Sequence, residues 1–69
     1  MDDPRKTARE YLQRGTATLD QLWARYWGNG GSAGPVEFEA YLYAAQDPPA
    51  QELEILGWAL TEIITDIPG

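Results

Sequence analysis

A chain of 69 residues holds one domain at most, and with no cysteine and no histidine it has neither a disulfide nor an ordinary zinc site to supplement a small core. A hydrophobic fraction of 43% with 12% aromatics is too apolar for a disordered chain, while no apolar run reaches the ~20 residues that a membrane-spanning helix needs. The net charge of −6 is split along the chain: the basic residues are Arg5, Lys6, Arg9, Arg14 and Arg25, whereas Tyr26 onward carries seven carboxylates and no cation, which argues against nucleic-acid or anionic-membrane binding by the C-terminal part.

Four helical segments are expected, and no strand pattern competes with them. The first covers about residues 4–14. Asp3 is a suitable N-cap, Pro4 fits the first helical position, and Gly15 can close the helix in a left-handed conformation. Its apolar face is thin, comprising Ala8, Tyr11 and Leu12. Lys6–Glu10 and Glu10–Arg14 are opposite charges at i,i+4 spacing. The second helix covers about 19–27, introduced by a Thr18-x-x-Gln21 capping box. Leu19, Leu22, Trp23 and Tyr26 share one of its faces. Gly15 could instead bend a single long helix, but glycine costs about 1 kcal/mol inside one, which favours two helices.

Residues 28–34, Gly-Asn-Gly-Gly-Ser-Ala-Gly, read as a flexible loop. The third helix is expected over 35–46, with Phe38, Tyr41, Leu42 and Ala45 on one face and Val36, Ala40 and Tyr43 on the other. Apolar residues on both sides predict a helix sandwiched between neighbours. Pro48-Pro49 forms the next joint. The last helix, about 49–66, is the most strongly patterned. Leu53, Leu56, Leu60, Ile63 and Ile67 follow 3-4-3-4 spacing with Ile64 on the same side, the stripe of a helix that packs along its length. The expected fold is therefore all-α, a small three- or four-helix bundle in one domain.

On the last helix, Ile55 and Trp58 fall almost opposite that stripe, beside Glu54 and Glu62. They are i,i+3 neighbours and could form one apolar spot on an acidic face. In so short a chain little is left to cover a central helix, so Ile55, Trp58, Glu54 and Glu62 are candidate partner-binding residues, with Val36 and Tyr43 of the third helix as further candidates.

Enzymatic motifs are missing. Without His or Cys the commonest bases and nucleophiles are gone, and the carboxylate pairs Glu37/Glu39 and Glu52/Glu54 point to different sides of a helix. The glycine loop matches neither the phosphate-binding loop nor the dinucleotide fingerprint nor a calcium loop. No catalytic, cofactor or metal site is expected. Arg5, Lys6 and Arg9 cluster on the first helix and are the candidate nucleic-acid contacts, although Asp2, Asp3 and Glu10 dilute them and the domain is far from basic.

These patterns favour a non-enzymatic helical interaction module, a small cytoplasmic regulator. It would bind a basic or amphipathic protein surface, or a second copy of itself, through its acidic C-terminal helices. The N-terminus lacks the apolar stretch of a secretory signal. One alternative is an antitoxin-like or transcriptional regulator touching DNA with the basic first helix. Another is an acidic DNA mimic, for which the C-terminal carboxylates are few and interrupted by Leu and Ile.

Overall fold

Four helices follow in chain order among the described residues: α1 (Pro4–Arg14), α2 (Leu19–Gly28), α3 (Pro35–Leu42) and α4 (Ala50–Asp66). They come from a computed structural model that describes residues 3–43 and 47–66, with only the backbone of Asp66. The fold is a small all-α bundle, and no strand occurs among the described residues.

Local chemistry sets the helix ends. The Asp3 carboxylate accepts from the Arg5 backbone N–H at 2.9 Å, capping α1. Gly15 closes it with φ 74°, a value that favours glycine, and its N–H reaches the Leu12 carbonyl. This left-handed break makes α1 and α2 separate helices. Both halves of the second capping box form: Gln21 N–H donates to Thr18 Oγ1 at 3.1 Å, and Thr18 N–H to Gln21 Oε1 at 2.9 Å.

The core is built from Ala8 of α1, Ala17, Leu22 and Tyr26 of α2 and its approach, Ala33 of the loop, Phe38 and Leu42 of α3, and Ile55, Leu56, Ala59, Leu60 and Ile63 of α4. α4 packs chiefly against α2 and α1, and α3 rests on α1 and α2. Truncating a fully buried leucine such as Leu22 or Leu60 to alanine costs about 2–5 kcal/mol, against a total stability of roughly 5–15 kcal/mol.

Two expectations need correction. First, α3 ends at Leu42 with Tyr43 as its C-cap, so the predicted extension to residue 46 stops early; residues 44–46 lie outside the described part. Second, α3 is not sandwiched. Phe38 and Leu42 face the core, while Val36 and Tyr43 are exposed. Both neighbouring helices meet the same side of it. The glycine segment makes specific contacts with the helices. Gly28 is the last residue of α2, and Gly31 and Ala33 are buried.

The anchor is Tyr26, which is buried and donates its phenol proton to Glu52 Oε2 at 2.8 Å. The Tyr26 phenol oxygen also accepts from the backbone N–H groups of Ser32 at 3.1 Å and Ala33 at 2.9 Å. Ser32 Oγ donates to the other Glu52 oxygen at 2.6 Å. Glu52 sits in the first turn of α4, where the helix dipole favours a carboxylate. The Tyr26 ring packs on Phe38 at 4.7 Å between centroids and covers Gly31 so closely that a Cβ there would lie 2.3 Å from the ring. Beside it, Trp23 Nε1 donates to the Ala33 carbonyl at 3.0 Å.

Tyr26→Phe removes the acceptor for two loop amides and the donor to Glu52. The expected loss is about 1–3 kcal/mol in urea denaturation; an unchanged midpoint means that the phenol does not hold the loop. Burial, followed by the Glu52 carboxylate, pushes the Tyr26 phenol up to about 12. Because the folded value lies above the unfolded one, the stability it provides is complete below the ordinary value of about 10 and is lost as pH rises toward 12. Denaturation midpoints measured across that alkaline window should fall for the native chain and fall less steeply for Tyr26→Phe.

Candidate functional site

The side chains of α4 divide into two sets. Ile55, Leu56, Ala59, Leu60 and Ile63 point into the core, with Leu53 half-buried beside them. Outward lie Glu54, Trp58, Thr61, Ile64 and Thr65. Trp58 is 56% exposed and Ile64 55% exposed. The helix is buried along two adjacent rows, Ile55–Ala59–Ile63 and Leu56–Leu60, because both α1 and α2 lie against it.

This corrects two sequence-based placements. Ile55 is buried, 4% exposed, and cannot serve as an anchor. Ile64 belongs to the outer side rather than the core stripe. Leu/Ile spacing alone centred the stripe too far toward Leu53 and Leu60, because Ala59 carries little weight in such a pattern yet is fully buried. Small residues let neighbouring helices approach, and the buried arc turns toward them. Ile67 lies outside the described residues.

Trp58, Thr61 and Ile64 succeed one another at i, i+3 and i+6, and so form one ridge. The Thr61 hydroxyl donates to the Gly57 carbonyl at 3.1 Å and the Thr65 hydroxyl to the Thr61 carbonyl at 2.9 Å. Both hydroxyl protons are thus taken up within the helix, so the ridge is more apolar than its composition suggests. Glu54 stands one turn before Trp58 and Glu62 one turn after it. Glu62 is 3.4 Å from the Arg25 guanidinium of α2, each side chain being 43% exposed, a pair worth at most about 1 kcal/mol. No described cation pairs with Glu54.

The remaining candidates fall elsewhere. Val36, in the first turn of α3, is 86% exposed. Tyr43, past the other end of that helix, lines an open pocket of about 290 Å³ with Lys6, Arg9, Glu10 and Gln13 of α1. The pocket brings Tyr43 to two of the basic candidates, Lys6 and Arg9.

The basic cluster is largely occupied within the fold. Arg9 Nη1 donates to the Leu42 carbonyl, where a cation suits the negative end of α3. Arg5 pairs with Asp3 at 2.7 Å and Asp47 at 3.4 Å. The hydrogen bond from Arg5 holds the Asp3 carboxyl below its ordinary value. Lys6 is exposed. Neither expected i,i+4 pair, Lys6–Glu10 or Glu10–Arg14, is among the ion pairs of the described residues.

Sequence patterning did not single out Trp27, which is 51% exposed and stacks on Trp23 with centroids 5.4 Å apart. Its place one residue past Tyr26, off the Leu22–Tyr26 row, carried that signal. Among the described residues no group of three or more Asp or Glu side chains is placed to hold a metal ion. No described helix is long and apolar enough to cross a membrane. No protein-family model, curated protein or solved structure matches the chain.

If Arg9 serves the fold, Arg9→Ala should lower stability by about 1–3 kcal/mol, since it frees a carbonyl that accepts from a charged donor. Lys6→Ala should stay within about 0.5 kcal/mol. Equal effects in chemical denaturation contradict the assignment.

Proposed function

We propose that this chain is a non-enzymatic interaction module that captures a protein partner on the outer face of α4, with Trp58 as anchor, Ile64 as a second apolar contact, and Glu54 and Glu62 as flanking charges. The observation that carries this is the exposure of Trp58 on a helix whose opposite face forms the core. Tryptophan is enriched among the residues that dominate binding energy when a partner desolvates them. Carboxylates at the rim steer an oppositely charged surface toward such an anchor. The opposite face of α4 takes up α1 and α2, and a partner covers the outer face, where Trp58 and Ile64 are exposed among the described residues.

A nucleic-acid role draws less support. Arg5 and Arg9 are engaged by Asp3, Asp47 and the end of α3, which leaves Lys6 and Arg14 on α1, in a chain of net negative charge, to approach phosphates. Val36 and Tyr43 then form, at most, a secondary contact. In this view the protein acts as a small cytoplasmic regulator by occupying its partner.

Trp58→Ala removes the anchor while leaving the core untouched. Its helical content and urea midpoint should match the native chain, while a protein retained by the immobilised native chain from lysate of the source cells should be lost. Lys6→Ala should retain it. If the same proteins remain bound to Trp58→Ala, the anchor lies elsewhere.

A further inference from the structure

The face just described favours one kind of occupant. The ridge from Trp58 to Ile64 spans about 9 Å along the axis, and the outer side from Glu54 to Thr65 about 16 Å, or three turns. A raised, narrow apolar ridge of that length, with Thr61 lying between the two larger side chains, matches the i, i+3, i+4, i+7 face of another helix. Charge narrows it further. No cation occurs anywhere on α4, and none follows Arg25 in the chain. A second copy pairing through α4 would therefore bring Glu54 and Glu62 of both copies to the contact, with only Arg25, already paired with Glu62, to offset them. Nucleic acid and anionic lipid meet the same obstacle.

We infer, resting on the proposed function, that the occupant is a cationic amphipathic helix of another protein. It lies along α4 with its apolar ridge over Thr61 between Trp58 and Ile64, and its Lys or Arg side chains flank the ridge at Glu54 and Glu62. The Lys/Arg flanks set the approach and the register, and burial of the Trp58 indole supplies most of the affinity. Glu62 has part of its charge engaged by Arg25, so Glu54 is the stronger electrostatic contact.

The test uses the full chain, isotope-labelled, and two synthetic helical peptides of about four turns. Both carry leucine at the i, i+3, i+4, i+7 positions; one is flanked by lysine and the other by glutamate. The lysine peptide should shift the Trp58 indole signal and the backbone amides of residues 54–65 while leaving the indole of Trp23, held by the Ala33 carbonyl, in place. It should bind at least about tenfold more tightly than the glutamate peptide, a difference of about 1.4 kcal/mol, and more weakly as salt is raised. Thr61→Arg, on an exposed position, should abolish these shifts without changing helical content. Ile64→Ala should weaken binding while leaving the fold intact.

Equal affinity of both peptides on residues 54–65 overturns the cationic partner but keeps α4 as the interface. A dimer of the native chain that Trp58→Ala dissociates replaces the partner with a second copy. Shifts confined to Lys6, Arg9 and Tyr43 overturn both the inference and the proposed function. No shift with either peptide overturns the inference, and the retention experiment with Trp58→Ala then decides the function separately.

Discussion

One phenol ties the glycine loop to the helices around it. Tyr26 lies near the end of α2, yet its oxygen meets two amides of the following loop and a carboxylate in the first turn of α4, while its ring rests on Phe38 of α3. Three helices and a connection are thereby fixed by one buried side chain. A seven-residue run rich in glycine would otherwise be a source of conformational entropy that a small core could hardly offset. Instead, the glycines are used. Gly30 takes φ 103°, a value open to glycine, and Gly31 makes room for the Tyr26 ring.

What this arrangement leaves uncovered follows from its geometry. The Tyr26–Glu52 bond and the Arg25–Glu62 pair draw α4 against α2, and α1 takes up the remaining buried surface of the helix. α3 is short and rests on α1 and α2. Trp58 and Ile64 are left in solvent on one side and Val36 on another, whereas Arg5 and Arg9 of α1 are drawn toward Asp3, Asp47 and the end of α3. The uneven charge visible along the chain thus has two different fates in three dimensions. The cations mostly stabilise the fold, while on α4 Glu52 is taken up by Tyr26 and Ser32, Glu62 is shared with Arg25, and Glu54 stays exposed at the surface.

Much of this was legible in the sequence. The caps at Asp3, Gly15 and Thr18 are short-range chemistry, and they gave α1 and α2 nearly to the residue. Trp58 was found because its position is far enough from the Leu/Ile stripe that a modest rotation of the buried arc does not reach it. Ile55 lies close enough to be swept into the core by that same rotation, which depends on Ala59 and on how α1 and α2 share the helix, information that a one-dimensional period does not contain. The contacts of the loop were not legible for a related reason. Glycine content reports what a backbone can do, and only the long-range partner, Glu52 twenty residues after Ser32, determines what it does. Likewise, i,i+4 spacing proposed partners for Lys6 and Arg14 within α1, but tertiary contacts instead took up Arg5 and Arg9.

The outer face of α4 is proposed as the place where this protein meets another. Site-specific photo-crosslinking in the source cells tests it most directly, with a photoreactive residue placed at Thr65 on that face, or at Tyr43 on the far end of α3. Position 65 should give an adduct with a different protein, and position 43 none. An adduct only from position 43, or one from position 65 joining two copies of this chain, contradicts it.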